Sequence, residues 1–125
     1  MNRFCLFVLM LLSAHCTPPK TAENPDVWKK IKLDFRQLDS EGLAGPEKGK
    51  VAMNYEFCIP TNEKHWKQVR KIDPTAQKNG GKGRVGCKES QWLVVGSTHQ
   101  KNYQRVLFQL ASLPFVVRIE PVFWE

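Results

Sequence analysis

The order of apolar patterns between residues 31 and 120 constrains the fold of this chain more than any other sequence feature. Five segments have spacing or composition typical of β-strands, and two repeat with the period of an α-helix. Their order along the chain is β-β-α-β-β-α-β. This alternation predicts an α+β fold in which two helices pack on one face of an antiparallel sheet, with an extra strand at the N-terminal end.

The clearest strand is the second one, where apolar side chains from Val51 through Tyr55 to Ile59 occupy every other position. Such alternation is typical of a strand with one buried face and predicts that Glu56 lies on the opposite, outer face. The five predicted strands cover residues 31–36, 51–59, 84–87, 91–96 and 115–119. Pro121 closely follows the last of them and predicts that this strand lies at a sheet edge.

Each predicted helix has a start signal and a proline that ends it. The first begins near Thr61 or Asn62, which are good N-cap residues, and ends before Pro74. The second has the spacing of a capping box at Ser97 and Gln100. Its apolar side chains then fall on one helical face: Tyr103, Val106, Leu107, Leu110 and Ala111.

Without the first strand, the predicted order is βαββαβ, which is the split-βαβ or ferredoxin-like arrangement. In that topology the first strand of the motif and the later hairpin end at the same edge of the sheet. Cys58 and Cys87 lie at those two places in the sequence. The fold prediction and a Cys58–Cys87 disulfide therefore support each other.

The first 16 residues have the composition of an export signal. Asn2 and Arg3 precede an apolar run from Phe4 to Leu12, which is followed by small and polar residues. This pattern is typical of a secretory signal peptide, and the run is far short of the roughly 20 residues of a membrane-spanning helix. The alternative is a buried N-terminal strand or helix of the folded domain.

The end of this leader resembles the lipobox of bacterial lipoproteins. Leu12, Ser13 and Ala14 match that pattern, Cys16 holds the position of the acylated cysteine, and His15 stands where the family has a small residue. The resemblance implies lipidation at Cys16 and anchoring in the bacterial cell envelope. Without acylation the protein would be periplasmic or secreted.

The leader also predicts the organisation of the chain. Residues 1–15 are expected to be the signal peptide, 16–27 a proline-containing tether, and 28–125 a single α+β domain. Cys5 lies inside the leader and Cys16 at its end, so Cys58 and Cys87 remain as an even pair.

In an oxidising compartment such a pair favours a disulfide. Two alternatives remain: free thiols, or metal ligands together with His65 and His99. The sequence contains no closely spaced cysteine pair of the kind zinc sites usually show. We therefore predict neither a metal nor a cofactor.

Positive charge is concentrated in one segment, between residues 64 and 88. It contains eight basic side chains and the single acid Asp73, whereas the whole chain has a net charge of +7. The basic residues are Lys64, Lys67, Arg70, Lys71, Lys78, Lys82, Arg84 and Lys88. They predict an anion-binding patch for an anionic membrane surface, an envelope polyanion or an unidentified protein, unless they are simply a solvated surface. No RNP, KH or zinc-finger pattern is present, so nucleic acid is not an expected partner.

Residues that could support catalysis do not form a recognisable arrangement. The glycine-rich loop 79–84 lacks the spacing of a phosphate-binding loop. His99 lies beside Ser97 and Thr98 but without a nucleophile elbow. Because nothing in the spacing of Asp34 and Glu56 requires a catalytic pair, we predict that the protein is not an enzyme.

Residues 91–96 and 99–121 resemble the second half of inhibitors of the subtilisin-propeptide type. The resemblance implies a βαββαβ fold and a C-terminal tail, Val122 to Glu125, that enters a protease cleft. Two functions are therefore predicted. The first is an exported, lipid-anchored, non-catalytic binding module, and the second is a protease-inhibitor or propeptide-like domain.

Overall fold

The structure is a computed structural model that describes residues 24–123. Within this range the chain forms three α-helices, a 3-10 turn at Phe35–Gln37 and six strands. The helices are α1 (Pro25–Lys29), α2 (Glu63–Ile72) and α3 (Tyr103–Ala111), and the strands are β1 (Leu43–Ala44), β2 (Val51–Ala52), β3 (Asn54–Pro60), β4 (Gln77–Asn79), β5 (Gln91–Ser97) and β6 (Glu120–Val122).

The main sheet has four strands in the order β4-β5-β3-β6, and every neighbouring pair is antiparallel. Its centre is the β3–β5 pair, which runs in register from Asn54 opposite Ser97 to Pro60 opposite Gln91. Strands β1 and β2 form a separate antiparallel ribbon. The predicted α+β class with an antiparallel sheet is therefore confirmed.

The core lies between one face of this sheet and the helices. Tyr55, Phe57 and Ile59 of β3 are fully buried there, together with Val69 of α2 and Leu107 of α3. The alternation predicted for β3 is confirmed at these three side chains. It fails at Val51, which is 63% exposed because it belongs to the separate ribbon.

The first predicted helix is confirmed as α2. Asn62 is its N-cap, and the Asn62 side-chain oxygen accepts hydrogen bonds from the backbone N–H groups of Lys64 (2.8 Å) and His65 (3.3 Å). The helix ends at Ile72, and Asp73 is its extended C-cap, as expected for a residue before proline.

The predicted capping box of the second helix is wrong. Ser97 is the last residue of β5, and α3 begins six residues later behind Asn102, a left-handed residue (φ 56°) whose side chain makes no capping bond. The physical reason is that pairing with Asn54 keeps Ser97 in the sheet. The side-chain amide of Gln100 donates to Ser97 O (2.8 Å) and does not cap a helix.

The predicted N-terminal strand is also wrong over most of its length. It is reduced to one parallel bridge between Ile31 and Ile119, although Ile31 and Leu33 are buried as the alternation suggested. Asp34 then ends the extended conformation, because its side chain accepts a hydrogen bond from Arg36 N (3.0 Å) and caps the 3-10 turn.

Two further strands lie at other positions than predicted. Residues 84–86 lie in turns and Cys87 is irregular, and the edge strand beside β5 is β4 at residues 77–79. The last strand is β6 at residues 120–122, so that Val117 is 72% exposed instead of pairing in the sheet. Pro121 does lie in an edge strand, as predicted.

The last residues of the segment predicted as a tether, 16–27, belong to the start of α1. Asn24 caps α1, and both Val27 and Trp28 pack against the core. The predicted signal peptide and Cys16 lie outside the described residues.

Candidate anion-binding surface

The eight basic residues of the predicted patch are placed in two groups on opposite sides of the sheet. The first group, on α2 and β4 at the helix-covered face, is called the helix surface below: Lys64, Lys67, Arg70, Lys71 and Lys78. The second group, on the loop between β4 and β5, is called the loop surface: Lys82, Arg84 and Lys88. This loop covers the other face of the sheet, where Val85 and Cys87 contact Leu93.

The strongest concentration of exposed charge is on α2. Lys64, Lys67 and Lys71 are exposed and lie at positions i, i+3 and i+7, so they share one helical face, whereas Val69 points into the core. Glu63 is the acid of the first helical turn, and its carboxylate is 3.5 Å from Lys78 Nζ. Glu63 shares this face, four positions before Lys67, so the three lysines and this carboxylate together carry a net charge of +2.

Arg70 and Lys78 form the rim of the helix surface against two tryptophans. Lys78 Nζ lies 3.9 Å from the ring centroid of Trp92 and 5.2 Å from that of Trp66, within the range of cation–π attraction. The Arg70 guanidinium donates to Pro74 O (3.0 Å) and Ala76 O (2.7 Å). These two cations are held in place by the fold.

The loop surface is held to the sheet by a buried carboxylate. Glu56 lies on the face predicted for it but is only 4% exposed, because the loop covers it. Its carboxylate accepts a hydrogen bond from Val85 N (2.8 Å). Gly83, with φ at +62°, lies so close that a Cβ there would be 2.9 Å from the Glu56 oxygens. The predicted face of Glu56 is therefore right, and the loop that covers this face makes the side chain buried.

The predicted disulfide between Cys58 and Cys87 is confirmed, with an S–S distance of 2.07 Å and a Cα–Cα distance of 5.5 Å. Both sulfurs are therefore unavailable as metal ligands. His65 packs half-buried against the ring of Phe115, with the centroids 4.2 Å apart. Among residues 24–123, no three His, Cys, Asp or Glu side chains are grouped so that they could hold a metal ion.

Sequence reasoning missed a buried polar network behind the helix surface. Asp73 is fully buried, and it accepts hydrogen bonds from the Tyr55 hydroxyl, from Thr75 N (2.9 Å) and from the Thr75 hydroxyl (2.6 Å). The side-chain amide of Gln100 also donates a hydrogen bond to Asp73 Oδ1 (3.1 Å). The signal that could have revealed it is Tyr55 on a buried strand face, since a buried tyrosine hydroxyl needs a partner.

Burial is the main cause that raises the pKa of Tyr55 above its ordinary value, and the negative charge of Asp73 adds to it. Tyr55 and Asp73 are both fully buried, so neither can contact a ligand arriving from solvent. The network therefore stabilises the fold and is not a candidate active site.

The C-terminal tail implied by the inhibitor resemblance begins inside the sheet. Val122 pairs with Asn54 in β6, and Phe123 follows it with 59% exposure. Trp124 and Glu125 lie outside the described residues. Of the four predicted tail residues, Val122 therefore belongs to β6 and Phe123 directly follows this strand.

The fold and the site together define a small, disulfide-linked α+β domain with a basic helical surface. Comparisons with protein-family models, with curated proteins and with solved structures gave no match. Within residues 24–123, every helix is too short or too polar to cross a bilayer.

Proposed function

We propose that the protein is a non-catalytic binding module of the cell envelope that uses its helix surface to bind anionic partners. The observation that carries this proposal is the row of three exposed lysines on α2: Lys64, Lys67 and Lys71. Glu63 lies at the end of this surface and is paired with Lys78, so the charge of the row stays positive.

The expected interaction energy is sufficient for weak, salt-sensitive binding. Each lysine held near an anionic lipid surface contributes about 1 kcal/mol, so three contribute roughly 3 kcal/mol. Lipid anchoring would raise the local concentration of the bilayer around the domain and make such a weak contact effective. Because the charges are exposed, salt screens the attraction.

Export and anchoring are part of the same proposal. The Cys58–Cys87 disulfide supports an oxidising compartment, since such bonds persist outside the cytoplasm. With acylation at Cys16, the seven residues before Asn24 can reach at most about 25 Å when extended. A domain on so short a connection stays near the bilayer.

We also infer that the fold is of the ferredoxin-like kind. The support is the chain order β3-α2-β4-β5-α3-β6 combined with the sheet order β4-β5-β3-β6 and antiparallel neighbours. Both helices contribute to the core on one sheet face, as the split-βαβ motif requires.

The test of the binding surface compares two charge reversals of equal size. We expect Lys64→Glu/Lys67→Glu to weaken binding to phosphatidylglycerol-containing vesicles by at least about 30-fold, since it removes about 2 kcal/mol of attraction and adds two carboxylates that the anionic surface repels. The matched variant Lys82→Glu/Lys88→Glu changes the net charge identically on the loop surface and should weaken binding by less than about threefold, the residual effect of net charge. Vesicle sedimentation across a salt series measures both.

Equal losses in the two variants would show that only net charge matters and would contradict a defined site. Binding that does not fall with salt would contradict the electrostatic mechanism. Vesicles of phosphatidylcholine alone are the neutral control, and added polyphosphate should compete if a soluble polyanion can occupy the same surface.

The anchoring proposal is tested by the mass of the mature N-terminus from a membrane fraction. We expect the mature chain to begin at Cys16 and to carry the added mass of acyl chains, and Cys16→Ser to move the protein out of that fraction. A mature N-terminus at another residue, with no lipid mass, would contradict anchoring through Cys16.

A further inference from the structure

A groove of about 1000 Å³ runs beside α3, between this helix, α1 and residues 38–40. None of the residues that line it belongs to the helix surface or the loop surface. It is therefore a separate feature from the proposed anion-binding surface, and its volume is at the upper end of the range for ligand sites.

One wall of the groove is a row of polar side chains on α3. Asn102, Arg105, Gln109 and Ser112 line it at positions i, i+3, i+7 and i+10, which is one face of the helix and its two caps. Ten residues of helix span about 15 Å. The wall is thus long and narrow, and it presents amides, a hydroxyl and a guanidinium along its length.

Most of the apolar lining is aromatic: Trp28, Tyr103 and Phe108 line the groove together with Leu38. Trp28 is half-buried, and its ring centroid lies 5.0 Å from that of Phe108 at a tilt of 44°. The ring of Phe35 meets Trp28 edge-on at 5.9 Å. These neighbours hold the indole at a defined angle beside the polar wall, so it forms a preorganised aromatic surface.

The groove has no excess of either charge. Arg105 and Asp39 are the charged residues among its lining, and the Asp39 carboxylate already accepts bonds from Leu43 N (3.0 Å), Glu41 N (2.9 Å) and Lys50 Nζ (2.9 Å). Among the described residues that line the groove, Arg105 is the one cation available to a polyanion. A lipid chain would bury the amides of the wall without partners, which costs free energy at each group.

We propose that this groove binds a neutral oligosaccharide. An aromatic ring packs against the apolar C–H face of a sugar ring, and a row of amides and hydroxyls can donate to and accept from its hydroxyl groups. The elongated wall suits an extended chain of sugars better than a single one. Trp28 is the stacking residue, and Gln109 is a hydrogen-bonding residue.

The test is a two-dimensional NMR titration of the protein with three tetrasaccharides: cellotetraose, maltotetraose and the β-linked tetramer of N-acetylglucosamine. We expect at least one to give saturable shifts that include the Trp28 indole N–H and the Gln109 side-chain amide. Gln109→Ala should weaken this binding by about fivefold, as expected for a lost hydrogen bond of about 1 kcal/mol.

Gln77→Ala is the matched control, since Gln77 is also exposed but lies on β4 outside the groove. It should bind as the unchanged protein does. Trp28→Ala should abolish binding. If that variant does not fold, the comparison of Gln109→Ala with Gln77→Ala still tests whether the sugar binds in the groove.

The proposal is overturned if none of the three tetrasaccharides gives saturable shifts, if the shifts map outside the groove, or if Gln109→Ala binds like Gln77→Ala. It stands apart from the vesicle experiment. Lys64→Glu/Lys67→Glu should retain sugar binding, and Gln109→Ala should retain vesicle binding.

Discussion

Asp73→Ala is expected to lower the free energy of unfolding by about 4 kcal/mol. The substitution removes the acceptor of four hydrogen bonds from Tyr55, Thr75 and Gln100. Bonds to a charged acceptor contribute about 1.5–3 kcal/mol each, and a buried donor left without a partner costs 1–3 kcal/mol. Water entering the small cavity would recover part of this loss, which keeps the expected effect below the simple sum.

Urea unfolding measures this effect, and two further variants calibrate it. Tyr55→Phe removes one donor and leaves Asp73 with Thr75 and Gln100, so a loss of about 1–2 kcal/mol is expected. Glu47→Ala changes an exposed carboxylate and should fall within about 0.5 kcal/mol of the unchanged protein. A loss below 1 kcal/mol for Asp73→Ala would contradict the assigned role of the network.

Tyr55 also makes the free energy of unfolding depend on pH in the alkaline range. Its pKa is raised in the folded state by burial first and by Asp73 second, whereas an unfolded tyrosine titrates near pH 10. Above about pH 10 the unfolded chain therefore loses a proton that the folded protein retains, and stability falls as pH rises. The slope approaches about 1.4 kcal/mol per pH unit for this one group. The difference in slope between the unchanged protein and Tyr55→Phe separates the contribution of Tyr55 from that of the lysines.

Replacement of both Cys58 and Cys87 by alanine is expected to cost about 3–4 kcal/mol. The disulfide joins residues 29 positions apart, and releasing a loop of that length returns its conformational entropy to the unfolded chain. In a domain of about 100 residues this is a large share of the net stability. Thermal unfolding of the double variant, and of the native protein with and without reductant, should give the same loss.

The structural consequence should be local to the loop surface. Without the disulfide, the loop keeps the bonds that Glu56 and Arg118 make to the backbone of Val85. Hydrogen exchange at Val85 and at position 87 should speed up, because Glu56 and the carbonyl of Lys82 then hold these two amides without the covalent restraint. Exchange in the centre of β3 and β5 should follow global unfolding. Exchange in the centre of β3 and β5 that speeds up by more than the measured loss of global stability explains would contradict this division.

The sequence by itself determined the elements whose signals are local. Asn62 and Pro74 delimit α2 because an N-cap and a proline act on their immediate neighbours. The alternation from Tyr55 to Ile59 fixed the buried face of β3, since a strand's side chains change side at every residue. The Cys58–Cys87 bond could be predicted because Cys5 and Cys16 fall in the predicted leader, which leaves one pair of cysteines.

Other features depended on partners that are distant in the sequence. Residues 84–87 look like a strand, but the disulfide and Glu56 hold them on the far face of the sheet, and the polar residues of β4 pair with β5 instead. Gln100 has the spacing of a capping residue, yet the buried Asp73 is its partner.

The tertiary structure alone divided one basic segment into two surfaces and placed α1 beside α3 to form a groove. Periodicity and caps report which side chains a short segment buries. Which strand pairs with which, and what a buried polar group bonds to, is decided by the packing of the whole chain.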